Sequence, residues 1–123
     1  RYDMGEVANF ALVPVALASV ALVRSWGPAA TAAHNRALTD RVAEGARALG
    51  LAVAPDHLRA PHLLGVRLGP DVDAEFLAPA LGDEAVHVSV RGDAIRVSCH
   101  GYNTADDVDR FLDALGRVLG RSR

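Results

Sequence analysis

Arg96 has the neighbours that best equip a residue of this chain for chemistry. It lies in the run Ile95-Arg96-Val97-Ser98-Cys99-His100-Gly101-Tyr102-Asn103-Thr104. Apolar Ile95 and Val97 flank it in a β-like pattern, and side chains alternate across a strand. If Ile95 and Val97 face a core, Arg96 faces away from it. A guanidinium is a planar fork that matches a carboxylate or phosphate with two parallel hydrogen bonds. A charge-assisted bond of that kind contributes about 1.5–3 kcal/mol. A mid-strand arginine is held more rigidly than one on a loop, which suits recognition of an anion. By the same alternation Val86, Val88 and Val90 join the core face, while His87, Ser89 and Arg91 join Arg96, Ser98 and His100. The bland reading of such a polar stripe is the face an antiparallel sheet shows to water.

Other reactive residue types do not assemble into a site. His57, His62, His87 and His100 are scattered, with no pair four residues apart on a helix, so no metal site is expected. Cys99 follows Ile95 and Val97 onto the core face and is expected to be an inert small hydrophobe. A Cys99–His100 catalytic pair fails on direction, because neighbouring strand residues point to opposite faces. Asp106, Asp107 and Asp109 fall in the first turns of a helix, where they complement its dipole. No Gly-rich phosphate loop is present. All 13 basic residues are arginine, so the polypeptide holds no lysine to act as Schiff base or general base.

Those residues need a scaffold, and 123 residues suffice for one domain. Half of them are hydrophobic, enough for a core. The formal charge of −2 and the lack of a basic tail exclude a nucleic-acid footprint. A single cysteine excludes an internal disulfide and suits a reducing compartment, so a cytoplasmic location is expected. The chain starts Arg1-Tyr2-Asp3-Met4, without an initiator and without a signal-peptide pattern, and is expected to be a fragment or processed product.

Phe10 to Val23 is apolar except for Pro14 and Ser19, short of the ~20 residues that span a bilayer. A helix is expected from Pro14 to Trp26, stopped by Gly27. It is apolar on every side, whereas a surface helix needs one apolar stripe. It should therefore be covered on two sides, by its own domain and by something else. The isolated chain is expected to self-associate through Pro14–Trp26. Gly27-Pro28 opens a second helix to about Leu49, with Gly50 closing it and Leu38, Val42, Ala46 and Leu49 facing inward. Strands follow at Leu51–Ala54 and His62–Leu68, then a helix from Val72 to Leu81 with Phe76, Leu77 and Ala80 inward. Val86–Arg91 and Ala94–Ser98 form a hairpin through Arg91-Gly92-Asp93. The last helix is capped at Asn103 or Thr104, with Thr104 and Asp107 as a capping box and Val108, Phe111, Leu112, Leu115 and Leu119 as its apolar stripe. The expected fold is α+β: a two-layer sandwich with helices packed on one face of a small, mostly antiparallel sheet, in the order α-α-β-β-α-β-β-α.

The run IRVSCHGYNTADDVDRFLDAL resembles the C-terminal end of class V aminotransferase-like enzymes of fold type I, which use pyridoxal phosphate. Cysteine desulfurases, selenocysteine lyases, kynureninases and isopenicillin N epimerase-like proteins make up that group. RYDMGEVANF and PVALASVALVRSWG resemble the passage from its large cofactor domain into its small domain, and HLLGVRL and VHVSVRG fit small-domain strands. The resemblance covers essentially the whole chain. It implies that residues 1–13 link from a large domain, 14–120 form the small C-terminal domain and 121–123 are a tail. It implies that Arg96 grips the α-carboxylate of an amino-acid substrate, with His100 and Asn103 bordering the same region. Glu6 and Asn9 would lie toward the cofactor; a threonine follows the glycine in desulfurases, and Glu6 after Gly5 argues against a plain desulfurase. The partners implied are a large pyridoxal-phosphate domain, an amino acid and a second copy in a homodimer, with no nucleic acid and no membrane. The family's Schiff-base lysine lies upstream of this stretch, so the chain by itself is expected to bind no cofactor and to be catalytically incomplete. The competing reading is a non-catalytic α+β module that binds a small anion or a protein on its open sheet face.

Overall fold

A computed structural model describes residues 10–121. In chain order the elements are α1 (Leu12–Trp26), α2 (Pro28–Ala48), β1 (Ala52–Val53), a single 3₁₀ turn (Asp56–Leu58), β2 (Leu63–Arg67), α3 (Ala74–Asp83), β3 (Ser89–Arg91), β4 (Ala94–Ser98) and α4 (Ala105–Arg121). The expected α+β order is observed. Glu6 and Asn9 lie outside the described residues.

The chain divides into two units, the first ending at Thr31 and the second starting at Ala32. The described part of the first holds α1 and the opening residues of α2. α1 starts two residues before the expected Pro14. Pro14 then sits in the first turn, where an N–H has no helical partner and its absence costs nothing. Gly27 ends α1 at φ +77°, a conformation that suits glycine. No residue of α1 is buried. No single helix among the described residues is long and apolar enough to cross a membrane.

The second unit carries the sheet. All pairings are antiparallel, in the order β1-β2-β4-β3. Alternation along β2 and β4 turns Leu64, Val66 and Ile95 toward the helices and leaves Gly65, Arg67 and Arg96 exposed. Val42 and Ala46 of α2, Leu77 and Leu81 of α3, and Val108, Phe111, Leu115 and Val118 of α4 close the core over that inner face. Gly45 lets α2 and α4 approach closely, because a Cβ there would come within 2.3 Å of Leu112 Cδ1.

Two helix ends show how local chemistry steers the chain. α2 ends in a Schellman turn: Leu51 N–H donates to Ala46 O and Gly50 N–H to Arg47 O, each at 2.9 Å, with Gly50 at φ +82°. α3 ends the same way, with Val86 donating to Leu81 O and Ala85 to Gly82 O, also at 2.9 Å each. Here the left-handed position is Ala85, at φ +59°. A non-glycine residue pays roughly 1–2 kcal/mol there. This turn uses the Val86 N–H and carries residues 86–88 away from β4. The expected strand from Val86 is therefore shorter, Ser89–Arg91. The expected inner face of α3 also shifts. Asp73 caps the helix through Glu75 and Phe76 N–H and sets its phase so that Leu77 and Leu81 are buried, while Phe76 is 45% exposed.

Candidate functional site

Arg96 sits mid-strand in β4, between Ser89 of β3 and Gly65 of β2 in the ladder register. Its side chain is on the exposed face, and its Nη2 reaches Ser89 Oγ at 3.5 Å, a long contact. The same face carries two more arginines. Arg91 lies opposite Ala94 on β3, and Arg67 lies opposite Ala94 on β2. Arg67 faces Asp93 Oδ2 at 3.6 Å. Arg91 Nη1 donates to the neighbouring Val90 carbonyl at 2.9 Å. Among the described residues, no carboxylate pairs with Arg91 or Arg96. Arg67 was open to sequence reading, since alternation in Leu63-Leu64-Gly65-Val66-Arg67 puts it on the polar face as surely as it does Arg96.

His100 and Asn103 form the turn that follows β4. Asn103 Oδ1 accepts the His100 N–H at 3.0 Å, and Asn103 N–H donates to His100 O at 2.9 Å. Asn103 O is also 3.0 Å from His34 Nε2 of α2. The Asn103 side-chain oxygen is thus committed to shaping the turn, and the His100 ring stacks on Tyr102 at 5.1 Å. The turn leads into the capping box: Asp107 N–H donates to Thr104 Oγ1 at 3.3 Å and Thr104 N–H to Asp107 Oδ2 at 2.9 Å. That backbone bond holds the Asp107 carboxyl below its ordinary value.

Where residues 86–88 leave β4, a cavity of about 310 Å³ opens between them, β4 and α4. Val42, Val86, Val97, Val108 and Phe111 supply its apolar lining, and Ser89, Arg96, Ser98, Asn103 and Asp107 its polar lining. Cys99 also borders it. Burial pushes the Cys99 thiol up, so it stays protonated and unreactive. His87 lines this space rather than continuing the paired stripe beside Arg96. The cavity has no signature in the sequence, because it arises from a gap between segments and not from a residue pattern.

The second unit therefore defines an α+β domain that presents a rigid, cationic sheet face suited to an anion. No family model matches the sequence, and no curated protein does. Solved structures do match. A NifS-like protein aligns with 73% of this chain at 27% identity, with a TM-score of 0.67, over 28% of its own length. An alanine–glyoxylate aminotransferase from Nostoc sp. aligns with 70% of the chain at 26% identity, with a TM-score of 0.63, over 25% of its length. A ureidoglycine–glyoxylate aminotransferase from Bacillus subtilis shares the fold over 83% of the chain, with a TM-score of 0.73 at 24% identity, over 28% of its length. The chain thus spans only a quarter to somewhat over a quarter of the proteins it matches. They are class V aminotransferase-like proteins, and the resemblance read from the sequence is borne out at the level of fold and group.

Proposed function

We propose that the chain is the C-terminal, substrate-carboxylate-binding domain of a pyridoxal-phosphate-dependent class V aminotransferase-like enzyme that acts on an amino acid. The observation that carries this reading is Arg96: mid-strand, exposed and without a carboxylate partner among the described residues. Similarity to two aminotransferases supports it. The residues present do not fit the anchoring of the cofactor, since the chain has no lysine. The cofactor belongs to the remaining polypeptide, reached through residues 1–13, and residues 14–120 form the small domain. The apolar surface of α1 is read as the contact with that remainder or with a second copy in a homodimer, in a cytoplasmic enzyme. Glu6 and Asn9 keep their reading as cofactor-side residues.

Arg96 would act by orientation. Two parallel bonds from its guanidinium fix the plane of the α-carboxylate, and that fixes which bond at Cα is presented for reaction. β4 is held on both sides by β2 and β3, so the guanidinium is aimed from a rigid base. Asn103 and His100 shape the adjoining turn. In the intact enzyme, Arg96→Ala should lower kcat/KM for the amino acid about 10–100-fold, the loss of a charge-assisted hydrogen bond. The cofactor absorbance should stay unchanged. Unaltered kinetics would remove the carboxylate-binding assignment of Arg96, whereas a full-length protein with no turnover of amino acids would favour a non-catalytic anion- or protein-binding module.

A further inference from the structure

We propose that the open sheet face selects an amino acid with a second acidic group, Arg96 taking the α-carboxylate and Arg91 the distal one. This rests on the reading of Arg96 given above and adds the substrate class. In the β3–β4 register Ser89 faces Arg96 and Arg91 faces Ala94. Arg91 and Arg96 therefore occupy one diagonal of a four-residue square on one face, with backbones about 7–8 Å apart. The other diagonal is Ser89 and Ala94, whose side chains are too small to cover either guanidinium.

The far side of Arg96 is open as well. Gly65 faces it across β2, and a Cβ built there would meet nothing within 4 Å. Gly65 is not among the glycines with positive φ. Neither backbone conformation nor packing against the chain calls for glycine at this position. Inside a strand such a glycine weakens the element and marks a close approach by something else.

Charge then narrows the occupant. Arg67 already has Asp93 at 3.6 Å. Among the described residues, Arg91 and Arg96 are bonded only to a carbonyl and a hydroxyl. Two like charges on a diagonal repel, and a monoanion on Arg96 leaves Arg91 unmatched. A diacid with the chain length of aspartate or glutamate reaches both. A solubilising arginine on an edge strand would also account for Arg91, and it predicts no discrimination between ligands.

The test is calorimetric titration of the full-length protein at low ionic strength with glutarate and with butyrate, which bind as carboxylates and do not turn over. Glutarate should bind at least ~10-fold tighter. Arg91→Gln should abolish that preference and leave butyrate affinity as it was, whereas Arg67→Gln should keep the preference. Circular dichroism should show each variant folded. Equal affinities in the parent, or a preference that survives Arg91→Gln, would overturn the proposal. Arg96→Ala separates it from the reading beneath it. If Arg96→Ala weakens both acids while Arg91→Gln changes nothing, only the second-carboxylate site is lost. If Arg96→Ala leaves butyrate binding intact, the carboxylate role of Arg96 falls too.

Discussion

Helix α1 has 15 residues and α4 has 17, yet none of α1 is buried, whereas α4 buries Val108, Phe111, Ala114, Leu115, Val118 and Leu119. The difference lies in how each sequence distributes charge. α4 interleaves Asp106, Asp107, Asp109, Arg110, Asp113 and Arg117 with its apolar residues, so one stripe is left for the core. α1 carries a single charge, Arg24, near its end. Val15, Leu17, Val20, Leu22 and Val23 are all at least half exposed. α4 is a helix completed by its own domain, and α1 has the composition of a helix completed by another surface.

The largest expected contrast is in stability. Leu115 is 0% exposed, and Leu115→Ala should cost about 3 kcal/mol in urea unfolding of the 123-residue chain. Leu17 is 65% exposed, and Leu17→Ala should stay within about 0.5 kcal/mol. Leu17→Glu should reduce self-association in sedimentation without moving the unfolding midpoint. Similar costs at positions 17 and 115 would break the comparison.

A smaller contrast concerns how the helices begin. Thr104 accepts the Asp107 N–H, so Thr104→Ala should cost about 1 kcal/mol in the same assay. Ala11, at the cap of α1, makes no side-chain bond. Ala11→Gly should therefore change the midpoint by only a few tenths of a kcal/mol. A cap effect at Ala11 equal to that at Thr104 would mean that α1 is as integral to the folded unit as α4.

The same contrast explains what could be read in advance. α4 was legible because a capping box and a regular apolar period agree at adjacent positions, and Gly50 marked the end of α2 for a related reason. Arg96 was legible because strand alternation needs only its two neighbours. Phe76 was misread because Phe76 and Leu77 both fit an apolar stripe, and only the Asp73 cap decides between them. The late start of β3, at Ser89, was hidden because alanine, not glycine, holds the left-handed turn at position 85. The pairing of Arg91 with Arg96 needs register, which arises between strands and not within one.

The smallest effect separates the helices by pH. Both relevant carboxylates lie on α4: the Thr104 backbone N–H lowers Asp107, and the Arg41 side-chain hydrogen bond lowers Asp109, with Nε–Oδ1 and Nη2–Oδ2 both at 2.7 Å. A carboxyl lowered in the folded state binds its proton more readily when unfolded. Its contribution is full above the ordinary aspartate value and is lost as pH falls through the lowered folded value. The thermal midpoint should therefore fall on acidification through that range, and less steeply in an Asp107→Asn, Asp109→Asn double variant. Salt should weaken the Asp109 share more than the Asp107 share, since an ion pair between exposed groups is screened more than a short bond to a backbone N–H. α1 holds no acidic residue, so Leu17→Ala should leave the acid slope of the parent unchanged. An acid slope that survives in the double variant would mean that other carboxylates, and not the start of α4, set the acid limit of the fold.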